Sequence, residues 1–79
     1  MCETVKISIV GRVQGVGFRP FIFQLAHELG VKGTVQNNMD GVEVWIEGKS
    51  EQVELFLQSI ELKAPSLSRI DQIVVHKES

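Results

Sequence analysis

The stretch "VKISIVGRVQGVGFRPFIFQLAHELG", residues 5–30, changes its hydrophobic period once, and that change decides the fold. In its first part Val5, Ile7 and Ile9 alternate with Lys6 and Ser8. A two-residue period of this kind marks a strand with one buried face, here running from Val5 to Val13. In its last part Ile22, Leu25, Ala26 and Leu29 recur at helical spacing. Pro20 opens this helix, because its missing N–H costs nothing in a first turn, and Gly30 is a natural C-terminal stop. Between the two periods lie Gly11, Gly15 and Gly17, followed at once by Arg19. Much backbone freedom is placed beside one fixed positive charge.

Outward from this stretch the same two periods repeat. Val31 to Asn37 reads as a second strand, and "NNMDG" after it as a hairpin turn rich in residues that tolerate left-handed backbone. Val42, Val44 and Ile46 then alternate with Glu43, Trp45 and Glu47 in a third strand, which Gly48 is expected to break. Ser50 is the expected N-cap of a second helix, whose stripe is Val53, Phe56, Leu57 and Ile60. A loop containing Pro65 leads to a last strand around Ile70 to Val75. The order βαββαβ predicts an α+β, ferredoxin-like sandwich: a four-stranded antiparallel sheet with two helices on one face. Trp45, opposite in parity to Val42, Val44 and Ile46, belongs on the face left uncovered.

The whole chain, 79 residues, is expected to form a single domain. A net charge of −2 gives no electrostatic footprint for nucleic acid, and no basic amphipathic segment suits a membrane surface. No apolar run approaches the roughly 20 residues of a membrane span. The lone Cys2 cannot form an internal disulfide or a multi-cysteine metal site, so a reducing, cytoplasmic setting is expected. His27 and His76 stand beside no second ligand-type residue at metal spacing and read as structural or solvated. Glu43, Glu47, Glu51 and Glu54 read as a solvated acidic surface.

Chemistry is concentrated at the glycine-rich turn. A helix N-terminus carries unpaired N–H groups and the positive end of a dipole, and glycines just before it let successive amides converge on an anion. Gln14, Gly15, Val16, Gly17 and Phe18 are the residues placed to offer those amides, and Arg19 adds a planar donor fork that suits phosphoryl oxygens. The plainer reading is a strand-to-helix turn that needs glycine for steric reasons, with Arg19 solvated. The spacing is not that of a Walker loop. Asn37, at the end of the second strand, has an amide able to hold one water, whereas Asn38 and Asp40 read as ordinary turn formers.

"GRVQGVGFR" followed by "GTVQNNMDGVEV" resembles the acylphosphatase signature, a glycine-rich phosphate loop plus an asparagine at a strand end. The resemblance runs from about Val5 to Asp71. "GFRPF" and "APSLSRID" are more narrowly similar to the N-terminal acylphosphatase-like domain of the carbamoyltransferase that matures nickel–iron hydrogenases. The resemblance implies a hydrolase that cleaves carboxylic–phosphoric anhydrides with no metal, no cofactor and no covalent intermediate. In that family reading Arg19 and the loop amides of Gln14 to Phe18 clamp the phosphoryl group, and Asn37 positions the attacking water. The narrower resemblance implies carbamoyl phosphate as substrate, covalently linked carbamoyl-transfer domains in a longer parent, and a thiol-bearing maturation partner.

Thr34 and Gln36 depart from the residues common in the family and are expected to flank the water site. The family usually continues into a further short strand, so an excised domain is expected, with the Val31 to Asn37 edge free for weak self-association. A free-standing acylphosphatase is the near alternative, and a domain kept only for docking is the alternative of another class. An RNA-recognition module shares the βαββαβ order but needs its Gly-Phe-rich motif on the third strand, which here reads "VEVWIEG".

Overall fold

The computed structural model describes residues 2–78. Its elements follow the expected order: β1 (Cys2–Arg12), α1 (Phe18–Leu29), β2 (Lys32–Asn37), β3 (Gly41–Lys49), α2 (Ser50–Lys63) and β4 (Arg69–Glu78). The four strands form one antiparallel sheet in the order β2-β3-β1-β4, with β1 and β3 in the centre.

The alternation in β1 and β3 explains the core. Val5, Ile7 and Ile9 pair across the ladder with Ile46, Val44 and Val42, and all six are buried. Ile22 and Leu25 of α1, and Val53, Phe56 and Ile60 of α2, cover that face, while Leu57 is only half-buried. Each such side chain contributes roughly 1.5–3 kcal/mol when fully buried. The opposite face stays open. There Lys6 pairs in register with Trp45, its ammonium 5.6 Å from the ring centroid, and binds Glu43 at 2.9 Å. The hydrogen bond and charge of Glu43 raise the Lys6 pKa above the ordinary lysine value. No helix among the described residues is long and apolar enough to cross a membrane.

The structure corrects several boundaries and one turn; β1 runs from Cys2 to Arg12 and β4 from Arg69 to Glu78, both longer than the alternation marked. Helix α1 begins at Phe18, two residues before Pro20, because Gly17 takes left-handed backbone (φ 82°) and turns the chain straight into the first turn. Pro20 then sits third in that turn, where its missing N–H is still harmless. Strand β3 runs through Gly48, which stays in the ladder opposite Glu3. The cap of α2 is Lys49 rather than Ser50: the Gln52 side chain accepts from the Lys49 N–H (2.9 Å) and donates to the Leu29 carbonyl (3.0 Å), tying the start of α2 to the end of α1. In the "NNMDG" turn no residue has positive φ. Asn38 closes it instead, its side-chain oxygen accepting from the N–H groups of Asp40 (2.9 Å) and Gly41 (2.8 Å). As expected, Gly30 caps α1 in left-handed backbone, and the Val31 N–H returns to the Ala26 carbonyl at 3.0 Å.

Candidate active site

Beyond Arg12 the chain leaves the sheet from β1, between β3 and β4, and enters α1 through a short loop. Gly15 (φ 73°) and Gly17 (φ 82°) flank Val16, whose φ is negative. Alternating hand along consecutive residues points successive N–H groups toward one side, which makes an anion-binding concavity. A Cβ on either glycine would meet nothing within 4 Å, so steric crowding does not demand these glycines; their backbone conformation does.

The polar accounting of this loop is unusual. Among the described residues, none of the backbone N–H groups from Gln14 to Arg19 donates to a protein acceptor. The first turn of α1 has no acidic residue and no side-chain cap, so its positive dipole end is left uncompensated. Phe18 locks the loop to the protein: it is 1% exposed and meets Phe21 edge-on at 5.5 Å between ring centroids. Val16 turns its side chain toward the core and does not line the cavity, contributing its amide alone.

A cavity of about 210 Å³ opens at this point, lined by the loop from Val13 through Pro20 except Val16, Arg19 included, and by Asn37 from β2. That is several times the about 30 Å³ a water takes in the liquid. The sequence could not tell whether Arg19 and Asn37 meet; the fold brings them to one cavity. Two connections do this. The Gly11 N–H donates to the Asp40 carbonyl at 3.2 Å. The Gln14 side-chain Nε2 donates to the carbonyl oxygens of Asn38 (2.7 Å) and Gly41 (2.8 Å). Gly41 also packs so closely on β1 that a Cβ there would collide with the Ile9 carbonyl oxygen.

Several sequence expectations change here. Gln14 was read only for its backbone amide, and its side chain proves to bridge two parts of the site; contacts 24 and 27 residues away leave no local signal. Asn38 is a turn former as expected, its side chain taking the turn's N–H groups, and its carbonyl additionally accepts from Gln14. Thr34 and Gln36 do not flank the site: β2 contributes only Asn37 to the cavity, and Thr34 lies beside Trp45 on the open face. His27 and His76 are exposed and outside the cavity, and among the described residues Arg19 is the only ionisable side chain lining it.

The acylphosphatase family model matches residues 5–79. The chain belongs to the acylphosphatase family. It is 44% identical over 73 residues to a protein named probable carbamoyltransferase HypF from Methanocaldococcus jannaschii, covering 92% of this chain and 10% of that protein. It is 46% identical over 68 residues to an acylphosphatase from Thermus thermophilus, covering 85% of this chain and 76% of that one. Among solved structures it superimposes on full-length HypF in its phosphate- and nucleotide-bound form with a TM-score of 0.96 at 42% identity, covering 100% of this chain and 10% of that one. The chain thus spans about a tenth of the length of the HypF proteins it matches.

Proposed function

We propose that the chain hydrolyses acyl phosphates, with carbamoyl phosphate as its substrate, as one domain of a longer carbamoyltransferase used in hydrogenase maturation. The observation that carries this reading is the meeting of unpaired amides, a guanidinium and an asparagine amide at one cavity. The amides of Gln14 to Arg19 and the Arg19 fork bind the non-bridging oxygens of the phosphoryl group and stabilise the charge that spreads over them in the transition state. Asn37 holds a water in line with the bond to the acyl oxygen. Oxygen of that water bonds to phosphorus while the phosphorus–acyl oxygen bond breaks. The leaving carboxylate (carbamate, for carbamoyl phosphate) keeps the bonding electron pair, and the water's protons pass to phosphate and solvent. Carboxylates leave readily, so the reaction proceeds without a strong general base in the cavity. Carbamate released here is then available to the carbamoyl-transfer domains of the parent, and onward to a thiol-bearing partner, in a cytoplasmic setting. The free edge of β2, paired on one side by β3, also supports weak self-association, which sedimentation at high concentration tests.

The test is phosphate release from carbamoyl phosphate and from an aromatic acyl phosphate. Wild type is expected to turn over both, and Arg19→Ala or Asn37→Ala to lose about 100–1,000-fold in kcat while remaining folded. A well-folded wild type that releases no phosphate would favour a docking domain instead.

A further inference from the structure

Gln14 spends both side-chain N–H groups on one target, the β2–β3 turn: Nε2 donates to the Asn38 carbonyl at 2.7 Å and to the Gly41 carbonyl at 2.8 Å. These are the two residues that close the turn, since the Asn38 N–H also donates to the Gly41 carbonyl at 2.9 Å. Asn37 immediately precedes this turn, opposite Val42 at the end of the β2–β3 ladder. The backbone of Gln14, by contrast, belongs to the anion loop. One residue therefore joins the element that holds the phosphoryl group to the element that holds the water.

We propose that Gln14 is a positioning residue, whose side-chain amide clamps the β2–β3 turn onto the anion loop and so fixes Asn37 in line with the bound phosphoryl group. This rests on the acyl phosphate reading above and deepens it. Nothing else joins the two elements as directly. Arg19 makes no hydrogen bond to the turn among the described residues, and the Gly11–Asp40 bond, at 3.2 Å, arises from the end of β1 rather than from the loop. Asn38 completes the clamp: its own side chain accepts the N–H groups of Asp40 and Gly41, leaving its carbonyl for Gln14. The loop's amides do not depend on the clamp, because Gly15, Gly17 and the buried Phe18 set their direction. Loss of the clamp should therefore separate binding from turnover.

The experiment compares wild type, Gln14→Met, Gln14→Glu, Asn37→Ala and Gln14→Met/Asn37→Ala. Each is assayed for kcat with an aromatic acyl phosphate, for its inhibition constant with inorganic phosphate, and for its thermal midpoint. Methionine keeps the length of the side chain and removes the donors; glutamate keeps the shape and turns an acceptor toward two carbonyls. A misplacement of about 1 Å costs on the order of 100-fold in rate, so both single Gln14 variants are expected to lose about 10–100-fold in kcat. Phosphate inhibition should change less than about threefold in Gln14→Met, the variant that separates binding from turnover because it leaves the loop intact and adds no charge. In Gln14→Glu the new carboxylate beside the anion cavity weakens phosphate binding as well. The double variant should be no slower than Asn37→Ala beyond about threefold, since a residue that acts through Asn37 has nothing left to position. Full additivity in the double variant, or a loss of phosphate binding in Gln14→Met as large as its loss of kcat, would overturn the proposal and make Gln14 part of the loop's own structure. An inactive but folded wild type that still binds phosphate would remove the hydrolytic reading and this role with it.

Discussion

Strand β1 and the loop that follows it are neighbours in sequence and opposites in chemistry. Between Thr4 and Val10 the backbone is paired on both sides, with β3 and with β4, and the side chains of Val5 and Ile7 are 0% exposed. From Gln14 to Arg19 no backbone N–H has a protein acceptor among the described residues, and Gln14, Gly15, Gly17 and Arg19 are exposed. The strand stabilises the domain through burial, and its hydrogen bonds are all committed. The loop leaves its donors facing solvent, where an unpaired group costs little. On the proposed reading stability and function are carried by different residues, which meet at Phe18 and Val16, whose side chains pack in or against the core while their amides belong to the loop.

The division is broken most severely from the loop's side. Arg19→Ala should reduce kcat for acyl phosphate hydrolysis by about 100–1,000-fold. Its thermal stability should stay within about 0.5 kcal/mol of wild type, because Arg19 is exposed and its side chain makes no hydrogen bond among the described residues. Steady-state assays beside thermal melts check both halves. If the melt collapses instead, the residue belongs to the scaffold and the separation fails.

From the scaffold's side, Phe56→Ala empties a site that is 0% exposed beneath α2 and should cost about 3–5 kcal/mol. That is a large share of the roughly 5–15 kcal/mol that holds a domain together, so urea denaturation reads it easily. The fraction that remains folded should turn over at the wild-type rate. Between these extremes lie Gly15→Ala and Gly17→Ala, which force left-handed backbone on a residue with a Cβ at a cost of roughly 1–2 kcal/mol each. Since neither Cβ would clash, the main effect should be a loop that no longer converges, seen as weaker phosphate inhibition.

Smaller effects sharpen the contrast through pH. Among the described residues, no carboxylate, histidine, cysteine or lysine lines the cavity. The kcat profile should accordingly be flat from about pH 6 to 8, without the bell shape of paired acid and base catalysts. A pH–rate series that bends there with a group of the enzyme would place a titrating residue at the reaction. On the open face, the bond to Glu43 raises the folded-state pKa of Lys6 above 10.5. Its stabilisation is therefore complete below the unfolded-state value and is lost as pH rises through the folded one. Lys6→Met should lower stability only slightly at neutral pH, and the difference from wild type should vanish in strong alkali or high salt.

How much of this was legible in the sequence follows the same division. The scaffold was readable because burial imposes a period: Val5, Ile7, Ile9 and the stripe at Val53, Phe56 and Ile60 announced their faces, and the parity of Trp45 placed it on the open one. Element ends were less readable. Glycine at 17 and 48 has opposite uses, starting a helix in one place and staying within a ladder in the other, and only tertiary packing distinguishes them. At the site, the loop and Arg19 were visible as a local run of residues. The meeting of Arg19 with Asn37 was not, because it rests on strand pairing and on long-range bonds, such as those from Gln14 to carbonyls 24 and 27 residues away, that no local pattern marks. Likewise the turn chemistry of Asn38 resembles any Asx turn until its freed carbonyl is seen to have a partner.

The central claim is that the amides of Gln14 to Arg19 form a prepared anion site. Titration of nitrogen-15-labelled protein with inorganic phosphate tests it directly, since every amide is followed at once. The account predicts saturable shifts confined to Gln14–Arg19 and the Asn37 side chain, with the amides of β1 from Val5 to Ile9 unmoved, and their disappearance in Arg19→Ala. Shifts scattered over the surface, or none in the loop at saturating phosphate, would contradict it.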